Sequence, residues 1–202
     1  MTNRRLRRVL SALPLALVIS LSAAPAHASW YATTPHVFSA PTAHAAGASC
    51  AAANSSPADA GPAQLEEAVL CLVNRERTAR GLSRLQSEDH LDRAARGHSK
   101  AMVQQRFFDH VSPGGASVVV RAKRKGYRPA YGNFVGENIA WGSGIYATPA
   151  EIVDGWMHSS GHRANILHRQ YHDIGVGVAL GSPRGSVGQP AATYTTDFGS
   201  RR

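Results

Sequence analysis

The 202-residue chain is poor in cysteine (two), in methionine and tryptophan (three each) and in lysine, and only 17% of it is charged. Beyond residue 28 it has no run of 18 uninterrupted apolar residues, which excludes a helical protein that crosses the membrane several times. Its composition, 43% apolar and 7% aromatic, also excludes a collagenous, coiled-coil or wholly disordered chain. The length suffices for one domain with a sizeable core. Several catalytic signatures are missing: Gly-x-Ser-x-Gly, a phosphate-binding loop, the dinucleotide fingerprint and His-Glu-x-x-His.

Charge is present in excess of one sign: 22 basic against 13 acidic residues give a formal net charge of +9. Four of the arginines (Arg4, Arg5, Arg7, Arg8) precede an apolar run from Val9 to Leu21 that is interrupted by Pro14 and followed by Ala26-His27-Ala28. A basic cluster, a short apolar run and a small-x-small site make residues 1–28 a secretory signal peptide rather than an anchor. Arg7-Arg8 also permits twin-arginine export, ranked below the general route. Cleavage after Ala28 would leave a mildly basic chain with no recognisable nucleic-acid-binding module and no stable membrane span. Release from the cell as a monomer is the expectation, because no sorting motif or lipid-attachment cysteine stands at the cleavage site.

Residues 29–62 are rich in Ala, Ser, Thr, Pro and Gly, with Asp59 as the one acid and no Lys or Arg. Such a stretch buries too little apolar surface to order itself and is expected to be a flexible linker before a domain at 63–202. Cys50 and Cys71 both lie in the exported part. An even count in an oxidising compartment favours a disulfide over the alternative of a buried Cys71 thiol and a free Cys50.

From Gln64 the spacing becomes helical, with Leu65, Ala68, Val69, Leu72 and Val73 on one face and Gly81 as a stop. Ser87 is expected to cap a second helix whose apolar face includes Leu91, Ala95, Met102 and His98, the last read as a hydrogen-bonded core histidine. A short helix over 117–125 follows, and Thr148-Pro149-Ala150-Glu151 reads as a capping box opening a helix that stops at Gly161. Ile174, Val176, Val178 and Leu180 alternate with Asp173, Gly175, Gly177 and Ala179 as in a half-buried strand. Tyr194, Thr196 and Phe198 make a second, joined to the first as an antiparallel hairpin. Three or four helices around a small antiparallel sheet make an α+β domain.

His158 and His162, and likewise His168 and His172, are four residues apart, but spacing alone is weak evidence for metal binding. The segments Phe108-Asp109-His110 with Ser112-Pro113-Gly114, Gly136-Glu137-Asn138-Ile139-Ala140, Trp156-Met157-His158-Ser159, Gly161-His162-Arg163-Ala164-Asn165-Ile166-Leu167 and Ile174-Gly175-Val176-Gly177 occur in a telling order. In that order they resemble the CAP superfamily of cysteine-rich secretory, antigen-5 and pathogenesis-related proteins (the SCP domain), in its bacterial secreted branch, over roughly residues 65–199. The resemblance implies a CAP-type α-β-α sandwich whose cleft holds two histidines and two acids able to bind a divalent cation. By motif, His110 and His162 are the histidines and Glu137 the first acid. Ser159 stands where eukaryotic members carry the second. The implied set is His110, Glu137 and His162, with zinc as a candidate ion and no cofactor required. The alternative is a hydrogen-bond network in which Glu137 pairs with Arg163 or with the two imidazoles.

Three functions follow. The first is a non-enzymatic extracellular binding module for a cell-envelope, lipid or other apolar ligand. The second is a metal-assisted, protease-like hydrolase with Glu137 as base, and the third an envelope protein tethered through residues 29–62.

Overall fold

In a computed structural model of the chain, the described residues are 49–130 and 135–201. The expected signal peptide, 1–28, and the first part of the expected linker, 29–48, lie outside them. The remainder of the linker stretch does not run free: Cys50 and Ala60 are buried in the main core, and Cys50 is bonded to Cys71. The packed part of the domain therefore reaches back to Cys50. Its composition hid this because small side chains (Ala52, Ala53, Ala60), a disulfide and a backbone hydrogen bond hold it rather than large apolar residues. The amide of Ala150, an orphan donor at a helix start, gives its hydrogen bond to the Ala53 carbonyl at 2.8 Å.

Helix α1 spans Pro62–Thr78, with Pro62 in its first turn and the Gly61 amide bonded to the Gln64 side chain at 3.0 Å. Strand β1 is Gln86–Ser87 and α2 is Asp89–Gln105. Glu88, not Ser87, caps α2, because its carboxylate accepts from the Leu91 amide at 2.9 Å while Ser87 is spent in β1. Helix α3 is Val118–Arg124, strand β2 Val135–Ser143, and a 3₁₀ turn covers Gly144–Ala147. Helix α4 is Pro149–His158, with Thr148 accepting from the Glu151 amide, and α5 is Ser160–Ile166. Strands β3 (Asp173–Leu180) and β4 (Ala191–Gly199) complete the order. The helix expected to run to Gly161 stops at His158, and Gly161 lies inside a separate helix, α5.

The sheet order is β1-β3-β4-β2. The β3–β4 hairpin and the β2–β4 pair are antiparallel, whereas β1 joins β3 in parallel through two residues, so the sheet is mixed rather than purely antiparallel. One face packs against α1, α4 and α5 through Leu65, Val69, Trp156, Ile166, Ile174, Val176 and Phe198. The other face lies under α2, with α3 beyond it. This is an α-β-α sandwich.

The two glycines of β3 explain how α2 gets so close. A Cβ on Gly175 would collide with the backbone of Leu91 and Asp92, and one on Gly177 with that of Ala95 and Arg96. Absence of side chains there lets helix backbone rest on strand backbone, and Ser99 donates to the Gly177 carbonyl at 2.9 Å. The strand read as half-buried is thus buried on both faces over most of its length. Its outer-edge amides are satisfied by carboxylates, Val176 by Asp92 at 2.8 Å and Val178 by Glu66 at 3.0 Å, which blunts an otherwise open sheet edge. At the far end of α1, the buried Arg77 guanidinium donates to the carbonyls of Ser83, Ile166, His168 and Tyr171, tying α1 to the end of α5.

Candidate functional site

Strand β2 pairs with β4 so that Glu137 stands opposite Asp197. Both side chains point to the face covered by α2 and α3, where an acid has no water to turn to. Glu137 finds partners. Its Oε1 accepts from His110 Nδ1 at 2.8 Å, and its Oε2 accepts from Arg121 Nη2. Arg121 of α3 also donates through Nη1 to the carbonyls of His110 (2.8 Å) and Ala116 (2.7 Å), so one guanidinium fixes both the acid and the loop that carries the histidine. The buried His98 of α2 lies 3.8 Å from Glu137 Oε2 and donates its Nε2 proton to the Asp109 carbonyl at 3.0 Å. It is the hydrogen-bonded core histidine expected.

These contacts set the charge states. Burial pushes the Glu137 carboxyl up, but the His110 hydrogen bond and the charges of Arg121, His98 and His110 together outweigh it and hold the group below the usual carboxylate range. Asp197 meets the opposite fate. It is fully buried, neither of its oxygens accepts a hydrogen bond, and burial, then the neighbouring Glu137 charge and a hydrogen bond shared with Glu137, drive its carboxyl well above the usual range, Arg121 opposing only in part. The pair therefore holds one charge, on Glu137. Burial, aided by the Arg121 and His110 charges and opposed by Glu137 and the Asp109 hydrogen bond, keeps His98 below the ordinary histidine value.

His110 is the exposed member, with 53% of its side chain accessible. With Nδ1 donated to Glu137, its Nε2 is the atom presented outward. His162, on α5, is half-buried, and burial and then repulsion by His110 lower its pKa. Its carbonyl accepts from Asn138 at 3.1 Å, and Asn165 donates to the Glu137 carbonyl and to Asn138, so α5 is stitched to β2 through amides. Gly136 makes room for this, since a Cβ there would run into Tyr171 and Asn165.

Of the three residues in the expected ligand set, the structure joins His110 and Glu137 by a hydrogen bond. Among the described residues no hydrogen bond or ion pair links the His162 imidazole to either. Nor does any group of three His, Cys, Asp or Glu among them converge as a metal site. With one Glu137 oxygen on Arg121 and the other on His110, the set as arranged does not fit a three-ligand cation centre. Arg163 is exposed and the cation on Glu137 is Arg121 instead. Of the other histidines, His158 bonds the Asp154 carbonyl on the surface of α4, and the His168 ring lies tilted against Tyr171. Sequence reasoning missed Arg121 and Asp197.

An α-β-α sandwich with a histidine–glutamate pair at one end of its sheet defines a class, and the comparisons agree with it. Residues 70–196 match the Cysteine-rich secretory protein family, CAP, and the chain belongs to that family. It is 42% identical over 114 residues to the uncharacterized protein YkwD of Bacillus subtilis, an alignment covering 55% of this chain and 41% of that one. It is 34% identical over 115 residues to the uncharacterized membrane protein YlbC of the same organism, covering 56% and 31%. The chain thus spans less than half the length of these curated relatives. A solved structure of an extracellular SCP-domain protein from Bacillus anthracis superposes with a TM-score of 0.55 at 26% identity, covering 70% of this chain and 44% of that one. Among the described residues no helix is long and apolar enough to cross a membrane.

Proposed function

We propose that this protein is exported and works outside the cell as a non-enzymatic binding module, taking an apolar or amphiphilic envelope ligand at the His110 end of the sheet. The observation that carries this reading is the state of Glu137: buried, held below the usual carboxylate range and hydrogen-bonded through one oxygen to His110 and through the other to Arg121, it orients His110 and is a weak base for a water proton. The loop around His110 presents apolar surface, with Phe108 and Val111 exposed on either side of it in the chain. An imidazole Nε2 among apolar side chains suits a ligand with a polar head and a hydrocarbon body. Export is supported by the basic-apolar-small pattern of residues 1–28 and by the Cys50–Cys71 disulfide.

The hydrolase reading is kept by one feature. Glu137 fixes the His110 tautomer as an orienting acid does for a general base, which moves the base role from Glu137 to His110. A nuclear magnetic resonance titration with monomeric dodecylphosphocholine below its micelle concentration separates the two. Binding predicts shift changes at Phe108, His110 and Val111, with no hydrolysis of casein or p-nitrophenyl esters. Turnover lost in His110→Ala, without shifts on adding the amphiphile, overturns the binding reading.

A further inference from the structure

The opposite end of the sheet carries a second surface. Ser143 pairs with Ala191 and Leu180 with Ala192, so the β2 exit, the β3 exit and the β4 entry share one end. Glu137 lies six residues back along β2, roughly 20 Å away at about 3.3 Å per residue. At this far end Ile145 and Tyr146 stand 69% and 58% exposed on the 3₁₀ turn, and Leu180 is 49% exposed. The turn is held firmly: Gly144 donates to the Pro190 carbonyl at 2.8 Å, Tyr194 donates its hydroxyl proton to the Ala147 carbonyl at 2.5 Å, and Gly142 packs directly on the Tyr146 backbone. Ile145, Tyr146 and Leu180 thus form a small exposed apolar tip on a turn that holds its side chains outward.

The charge around them selects what that is. Residues 143–148 and 181–191 contain no Asp or Glu, and the nearest acid along the chain is Glu151 in the first turn of α4. Cations border the same end: Arg184 is in the hairpin loop and the Arg106 guanidinium lies beside Gly185, while the open groove that Leu180 shares with Val103 holds Lys100 and, further in, the Arg96–Glu66 ion pair. A soluble polyanion would use the cations and leave Ile145 and Tyr146 wet. An anionic bilayer uses both, with Tyr146 at the headgroup level and Ile145 below it.

We propose that the Ile145–Tyr146 tip docks this protein reversibly on an anionic lipid bilayer, holding the His110 cleft on the side away from the membrane. The proposal stands apart from the ligand of that cleft. The test is sedimentation of the exported form, residues 29–202, with vesicles of phosphatidylglycerol and phosphatidylcholine, beside an Ile145→Ser/Tyr146→Ser variant and an Arg106→Gln/Arg184→Gln variant. Both substituted pairs are on the surface, and unchanged circular dichroism checks folding. The expected result is a fall in partitioning of about tenfold for each, with amide exchange slowed at residues 143–148 in the vesicle-bound parent. Equal partitioning of parent and Ile145→Ser/Tyr146→Ser, or no protection at 143–148, overturns it. So does equal protection of that turn by soluble polyphosphate.

Discussion

Glu137 and Asp197 are directly paired across the β2–β4 ladder, and their surroundings drive the two carboxyls to opposite protonation states. Arg121 and His110 both donate to Glu137, leaving Asp197 beside a negative charge with no donor of its own.

This relationship makes stability depend on pH in a definite direction. Asp197 has a raised folded pKa, so the folded state keeps a proton that the unfolded chain releases above about pH 4. The stability it contributes is full below that pH and declines as pH rises. Asp197→Asn removes the penalty while keeping the shape, and the added amide can donate to Glu137. The midpoint of thermal unfolding at pH 7 should therefore rise relative to the parent, the difference shrinking towards pH 4. A lower midpoint at pH 7 would contradict the assignment of the proton to Asp197.

Glu137 behaves in the opposite sense: its lowered folded pKa contributes stability above the unfolded value that is lost as pH falls through the folded one. Removing its partner is the sharper test. Arg121→Ala leaves a buried carboxylate with one cation fewer and frees two loop carbonyls, so urea unfolding should show a loss of about 3–5 kcal/mol. Arg121→Met/Glu137→Gln should lose much less than the two single changes added together. Simple additivity would mean that the pair is not a unit.

The fit of α2 to the sheet predicts a contrast between two glycines. Gly177→Ala forces a Cβ into the backbone of α2 and should cost about 1–3 kcal/mol. Gly97, inside α2 and with open space around it, should gain about 0.5–1 kcal/mol as alanine. Equal effects would show that α2 rides further from β3.

Reduction of the Cys50–Cys71 bond, whose partners are 21 residues apart, should lower stability by about 3 kcal/mol. It should also release residues 50–60 from the core, read as faster amide exchange at Ala150 once the Ala53 carbonyl leaves it.

Much of this architecture was legible in the sequence. The apolar spacing of α1, the Thr148 cap and the strand character of β3 and β4 each report a local regularity that survived packing, although both faces of those strands are covered where alternation left one to solvent. The two residues that complete the site, Asp197 and Arg121, were not legible. Asp197 sits among Tyr194, Thr196 and Phe198 at a position that alternation assigns to solvent, but α2 roofs that face because Gly175 and Gly177 let it approach. A glycine-x-glycine strand opposite an alternating one is the signal that both faces are covered. Arg121 was hidden on a short helix, where an arginine ordinarily faces water, and only the β2 acid draws it inward. The end of the Trp156 helix was misplaced because Gly161 is a weak stop signal, whereas Ser159 has the extended backbone that separates α4 from α5.

The central claim is that Glu137 is a spent, ionised acid that positions His110 and is not itself a base. Carbon-13 titration of the side-chain carboxyls tests it most directly. The account predicts that Glu137 titrates below the ordinary glutamate value and Asp197 well above the ordinary aspartate value. A Glu137 carboxyl that instead titrates near neutral pH would be free to accept a proton, and would contradict the binding-module reading in favour of hydrolysis.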